Sequence, residues 1–278
     1  MSPVRETTPE HWQRFWTDGR PLHEVYSNQG RLVDQALAEG SLSGRRILEV
    51  GAGTGRDTME LVRRGASGYV LDYTFGSLHL MQEHARHLGV PLHLVCADAR
   101  KLPFRDGSFG LVFHQGLLEH FRDPPSILVE NARVLEPGTG TLIVDVPQRW
   151  HIYTAAKKVL IAMDRWFAGW ETEFSPRELE RLIEDQGLEV RRTYGDWMVP
   201  GLFYRAARVS LAKAGIKVLP MYPKGPAFWE NFWNGLRDWM RGQRWALYTT
   251  HVIGVVARKR AAALAPERAG ADGARRTA

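Results

Sequence analysis

Cysteine is almost missing from this chain of 278 residues. Cys96 stands alone, which excludes an internal disulfide framework and leads us to expect a reducing, cytoplasmic setting. No apolar run approaches the roughly 20 residues of a membrane-spanning helix, and Met1 to Gly30 lacks the apolar centre of a secretory signal. Internal repeats are absent, and low complexity is confined to the last twenty residues or so. The body also lacks a strong charge of one sign. The formal net charge is +6, but from Arg258 onward six basic residues face only two acidic ones, Glu267 and Asp272, so the tail holds most of the excess. A near-neutral body weighs against nucleic acid as partner. The tail, "RKRAAALAPERAGADGARRTA", has no apolar face and is expected to be disordered over 259–278.

What remains is an ordinary globular composition, 44% hydrophobic and 24% charged, long enough for one large core with insertions. Up to about Ser43 the chain reads as helical, with Leu32, Val33, Ala36 and Leu37 of "RLVDQALAEG" on one face and a stop at Gly40. From Arg45 short apolar runs alternate with helical segments. "RILEV", "GYVLD", "LHLVCAD", "FGLVFHQ" and "TLIVDV" read as strands, with helices over "RDTMELVRRG", "SLHLMQEHARHLG" and "PPSILVENARVLEPG". Continuous hydrophobic strands, each followed by a helix, imply a parallel sheet covered on both faces. The expected fold class is therefore α/β: a doubly wound, Rossmann-like sheet, mostly parallel, with ligands at the carboxyl ends of its strands.

After Val146 a helix over "FSPRELERLIEDQG" is expected, capped by Ser175, followed by a strand at Leu188 to Tyr194 and a final strand over "ALYTTHVIGVVAR". Two stretches, about 148–173 and 198–245, are not needed by the sheet. Eight of the ten tryptophans fall between Trp150 and Trp245, so we expect these insertions to form an aromatic substrate cap. "WENFWNGLRDWM" repeats its rings at helical spacing and predicts a packed amphipathic helix, with a weak membrane or lipid contact as the alternative. The resulting division is an N-terminal helical region over 1–43, a catalytic domain with both insertions over 44–258, and the basic tail.

The stretch "RRILEVGAGTGRD" packs Gly51, Gly53 and Gly55 directly after a strand and before a helix, the setting of a nucleotide loop. A dinucleotide fingerprint wants a further glycine at the third position after Gly53, but that residue is Arg56. Glu49, just before the loop, would repel a pyrophosphate and suits a cationic ligand.

The chain resembles the class I S-adenosylmethionine-dependent methyltransferases, in particular their small-molecule, type 11-like branch. "LEVGAGTG", "VLDYT", "CADARKLPF", "DGSFGLVFHQGLLEHF" and "NARVLEPGTGTLIVDVP" carry the likeness, in that order, between about Arg45 and Val146. The resemblance implies a seven-stranded sheet and S-adenosylmethionine as cofactor. It places Glu49 and the loop Gly51, Ala52, Gly53 and Gly55 at the methionine end, and Asp72 on the ribose hydroxyls. Asp98 and the backbone of Ala99 would hold the adenine amino group, Tyr73 would pack on the ring, and His114 and Gln115 would lie beside the methyl group. Trp16 and Tyr26 would close over the cofactor. No metal is expected.

If the acceptor needs a base, His114 leads, followed by His151 and Tyr153 of "RWHIYT", with Glu119 weaker. His120 is read as tying a helix start to a loop, and Cys96 as an inert core residue. The Asn/Asp-Pro-Pro-aromatic tetrad of amine methyltransferases is missing, since "HQGL" stands after the fourth strand; "DPPS" at Asp123 to Ser126 is a helix start. Carbon-5 cytosine chemistry would need a cysteine near the fourth or fifth strand, and there is none. The expected activity is methyl transfer to an O, N or C atom of a small apolar or aromatic metabolite. An RNA methyltransferase or a non-catalytic cofactor-binding scaffold are the alternatives. Oligomeric state is not legible.

Overall fold

The computed structural model describes residues 8–17, 30–216 and 218–261. Tyr26 and nearly all of the basic tail lie outside these residues. Helices α1 (Pro9–Thr17) and α2 (Arg31–Leu37) precede the alternating core of β1 (Arg46–Val50), α3 (Arg56–Arg63), β2 (Ser67–Asp72), α4 (Phe75–Leu88), β3 (His93–Cys96) and β4 (Leu111–Gln115). A 3-10 turn at Leu118–His120 leads to α5 (Pro124–Val134), β5 (Thr141–Pro147), α6 (Ile152–Ala162), α7 (Pro176–Glu184) and β6 (Leu188–Asp196). Then come α8 (Leu202–Lys213), α9 (Ala227–Arg241), a 3-10 turn at Arg244–Tyr248 and β7 (Val252–Lys259).

The seven strands form one sheet in the order β3-β2-β1-β4-β5-β7-β6. Strands β1 to β5 are parallel, and β7 runs antiparallel between β5 and β6. Strand order therefore reverses between β1 and β4, so a crevice opens beyond their carboxyl ends, where such sheets bind ligands.

Side-chain alternation along the strands feeds both faces. Leu48, Val50, Val112 and Val144 pack with Ile127 and Leu128 of α5 and Leu179 and Ile183 of α7. Ile47, Leu111, Phe113 and Ile143 meet Leu32, Val33 and Ala36 of α2. Both layers are apolar because each strand is covered twice. Helix α7 begins as its sequence predicts: the Ser175 hydroxyl accepts from the backbone N–H of Glu178, and the Glu178 carboxylate accepts from the Ser175 N–H, 2.8 Å away. Asp123 occupies the cap position of α5, with prolines in the first turn, but its side chain makes no cap hydrogen bond.

Three expectations need correction. The last strand begins at Val252, not Ala246: its ladders end where Val252 meets Pro147 on one side and Asp196 on the other, and Ala246 and Leu247 are buried in the 3-10 turn before it. Cys96 is exposed, because β3 is an edge strand and its burial pattern is that of a margin. Helix α9 forms as predicted but is only partly packed: Leu236 and Met240 are half-buried, and neither α8 nor α9 has a fully buried residue among those described. Among the described residues no helix is long and apolar enough to cross a membrane.

Candidate functional site

Beyond Val50 the chain turns back through Gly51 and Gly53, at φ +65° and +54°, angles that L side chains rarely adopt. Space enforces the same choice. A Cβ on Gly51 would stand 2.6 Å from Leu117 Cδ1, and one on Gly53 2.9 Å from Trp16 Cζ2. The loop is thus closed over by the segment after β4 and by α1.

Asp72, Glu49 and Asp98 around this loop each already have a protein partner. Asp72, at the tip of β2, accepts from the Gly53 N–H at 3.1 Å through Oδ2 and from the Thr74 N–H and hydroxyl, both at 3.0 Å, through Oδ1. Glu49 lies buried under the loop, where its Oε2 accepts from the Thr58 hydroxyl at 2.5 Å and the Thr58 N–H at 3.2 Å. Burial, with Asp57 nearby, pushes the Glu49 carboxyl up to about 8. Asp98 is held bidentately by the Arg100 guanidinium, at 2.6 Å for the shortest contact, and that hydrogen bonding lowers its pKa. Ala99 is buried beside it. Tyr73 is 49% exposed and lines an open depression of about 340 Å³ with Glu10, Gln13, Arg14, Thr74 and Phe75.

The fit to a sulfonium nucleoside rests on this cradle. Glycines at three of the five loop positions leave no Cβ there, a carboxylate stands at the ends of β1 and β2 and another two residues past β3, and a phenol ring borders the depression.

Of the candidate bases, His114 is fully buried, and neither ring nitrogen has a hydrogen-bond partner among the described residues. Burial lowers its pKa to about 3, leaving a neutral imidazole that holds a proton too weakly for a base working near neutrality. This is the opposite of what the sequence leads us to expect of it. Its neighbour Gln115 is half-buried at the end of β4. His151 caps α6, its Nδ1 accepting from the Tyr153 N–H at 3.1 Å, and burial lowers its pKa. The Tyr153 hydroxyl is pushed up to about 12 by burial, and its ring stands edge-on to Trp166.

The residues least visible in the sequence are those that connect these parts. Helix α1 crosses the site: Gln13 Oε1 accepts from the Gly76 N–H at 3.1 Å, and Trp12 meets the His120 ring edge-on at 5.1 Å. Phe15 stacks on Phe167 at 5.6 Å, and Phe167 contacts Trp166. Behind these rings lies a buried charge cluster. Lys157 Nζ is 2.7 Å from Glu171, which also accepts from the Trp166 indole at 2.7 Å. Glu119, just after β4, is 3% exposed, with Oε1 beside Gly116 and Oε2 without a hydrogen-bond partner among the described residues. Burial and the adjacent Glu171 push its carboxyl up to about 8.

The Glu119 pKa predicts a pH effect with a definite sign. A carboxyl raised from its ordinary value near 4.3 to about 8 favours folding while protonated. That contribution is complete below about pH 4.3 and is lost as pH rises through about 8. Glu119→Gln is therefore expected to reduce the fall in unfolding free energy between pH 5 and pH 8 by about 1 kcal/mol or more, the worth of roughly one pKa unit. Urea titrations at the two pH values measure this; an equal fall in both proteins would show that Glu119 does not titrate in that window.

Known proteins supply the context for this arrangement. The family model for a methyltransferase domain matches residues 48–144, which span β1 to β5. A ubiquinone biosynthesis O-methyltransferase from Chromobacterium violaceum is 26% identical over 190 residues, 66% of this chain and 81% of that protein. The solved structure of a proposed sarcosine dimethylglycine methyltransferase from Galdieria sulphuraria superposes with a TM-score of 0.60 at 20% identity, over 90% of this chain and 98% of that one. Magnesium protoporphyrin IX methyltransferase from Synechocystis, solved with bound S-adenosylhomocysteine, gives 0.55 at 15% identity, over 90% and 93%. Strand order, glycine loop, acidic strand ends and these likenesses agree: the chain carries a methyltransferase domain over residues 48–144 and is an S-adenosylmethionine-dependent methyltransferase.

Proposed function

We propose that the acceptor is a small, apolar molecule bearing a ring hydroxyl, and that methylation occurs on its oxygen. The observation that carries this reading is the wall of rings, Trp12, Phe15, Tyr153, Trp166 and Phe167, set against the buried carboxyl of Glu119. A flat apolar ring is matched by such a wall, and its hydroxyl by one buried polar group. The relatives named as ubiquinone biosynthesis O-methyltransferases support oxygen as the acceptor atom.

S-adenosylmethionine supplies an already activated methyl group, so the protein's task is alignment and removal of a proton. Glu49, Gly51, Ala52, Gly53, Gly55, Asp72, Tyr73, Asp98, Ala99 and Gln115 are assigned to its binding. In place of His114 we assign proton removal to Oε2 of Glu119, whose pKa near 8 lies much closer to neutrality and whose oxygen, buried like the His114 ring, has no hydrogen-bond partner among the described residues. His151 and Tyr153 are assigned to the acceptor side. The 148–173 insertion with α1 forms the cap, the catalytic domain spans 44–258, and the setting is cytoplasmic.

The test is release of S-adenosylhomocysteine in the presence of hydroquinones and catechols with and without an apolar tail. Turnover on these compounds, with kcat reduced at least tenfold by Glu119→Gln at unchanged S-adenosylhomocysteine affinity, is expected. Turnover on RNA alone, or on none of the phenols, would overturn the assignment.

A further inference from the structure

Helix α9 carries a broad apolar stripe in which Leu236 and Met240 are half-buried but whose aromatic rings no described residue buries. At 100° per residue, Phe228, Trp229, Phe232, Trp233 and Trp239 fall within an arc of about 140°, while Glu230, Asn234, Arg237 and Arg241 take the opposite side. A helix of a globular protein normally turns such an arc to the core. Here those five rings are 40–73% exposed. The exposed apolar surface continues onto Phe203 and Val209 of α8, Tyr222 in the link between the helices, and Trp245 beyond α9. This is a contiguous run of sequence rather than scattered single residues, and such patches mark contact sites.

Charge indicates which partner. Between Met198 and Trp245 the sequence carries eight basic residues against Glu230 and Asp238, a surplus of six that equals the net charge of the whole chain. The tail from Arg258 adds four more, so everything else is net acidic. Positive charge is therefore concentrated on the insertion that exposes the rings. Aromatic rings on one face of a helix, in a segment rich in Lys and Arg, are the makeup of an element lying in the plane of a membrane surface: tryptophan prefers the headgroup level, and cations are drawn to anionic lipid. A second copy of this chain would bring the same surplus of six against itself, and a core partner would leave the basic excess without a role.

We propose that the insertion over 198–245 is a monotopic membrane foot, docking the protein on an anionic bilayer with the α9 stripe in the headgroup region. This inference rests on exposure and charge and does not depend on the acceptor proposed above. It does bear on it, since a foot of this kind would hold the enzyme where apolar acceptors dissolve.

The full chain is mixed with vesicles of phosphatidylcholine alone, or of phosphatidylcholine with phosphatidylglycerol, and binding is read by co-sedimentation and by the shift of tryptophan emission. Wild type is expected to partition at least about tenfold more strongly into the anionic vesicles, and to weaken as salt rises. The triple variant Trp229→Ser, Phe232→Ser, Trp239→Ser should lose about tenfold or more in partition while keeping its affinity for S-adenosylhomocysteine. Because these positions are exposed, it should also keep its melting profile. Lys213→Glu with Lys224→Glu should remove the preference for anionic lipid and leave the residual binding to phosphatidylcholine. Wild type that stays in the supernatant with anionic vesicles would overturn the proposal. Binding by the triple variant equal to wild type would also overturn it, by assigning the attraction to the tail. So would a dimer in sedimentation equilibrium that the triple variant dissolves, since a second copy would then cover the face.

Discussion

Asp72→Ala is expected to weaken S-adenosylhomocysteine binding about 30-fold or more, roughly 2 kcal/mol, by removing a charged acceptor from the end of β2. The same change should lower stability by about 1–3 kcal/mol, because the Gly53 and Thr74 N–H groups both give their hydrogen bonds to this carboxylate. Asp72→Asn separates the two effects. An amide oxygen can still accept from Gly53, so stability should largely return, whereas the charge that favours a pair of ribose hydroxyls does not. Calorimetric titration measures the first effect and urea denaturation the second. Affinity unchanged in the alanine variant would mean that Asp72 serves only to pin the loop.

That double role of Asp72 shows where sequence reading stops. The order of β1 to β5 was legible because a parallel sheet covered on both faces writes its strands as continuous apolar runs, separated by helices that end at turn residues such as Gly65 and Gly89. The start of α7 was legible because a capping box lies within four residues. Pairings between side chains were not. Nothing in the spacing says that Glu49 is engaged by Thr58 or Asp98 by Arg100, and both alter what those carboxylates can offer a ligand. Helix α1 was expected to be helical, but its contacts with His120 and Phe167 span more than a hundred residues, and no local pattern encodes them. Cys96 was misplaced because a strand's position at the sheet edge is a property of topology. His114 looked catalytic from its position at the end of β4, but only three dimensions reveal that its ring is fully buried. In α9 the spacing correctly gave an amphipathic helix, while periodicity is the same whether the apolar face meets a core or leaves the molecule.

The largest loss of stability is expected from Asp145→Ala. Asp145 lies on β5 with no solvent exposure, and its Oδ2 accepts from Arg31 Nε at 2.8 Å, with Arg31 Nη2 at 2.7 Å. Its Oδ1 accepts from the Tyr194 hydroxyl of β6, and Asp196 stands 3.6 Å from the other side of the guanidinium. The group ties α2 to the far half of the sheet. Arg31 is 8% exposed, and the Tyr194 hydroxyl is held well above its ordinary pKa by burial and by the Asp145 charge, so both depend on the carboxylate. Removing it strands a buried cation, which costs about 3–5 kcal/mol, whereas the pair itself contributes much less relative to an apolar replacement. In a chain of this size that corresponds to a melting point lower by roughly 6–20 °C. The distinguishing measurement is a double-mutant cycle. Asp145→Leu alone should be severely destabilised, and adding Arg31→Met should restore most of the loss, because the cation that made it costly is gone. If the two changes simply add, Arg31 is not the group that makes Asp145 indispensable, and the Tyr194 hydroxyl becomes the partner to replace next.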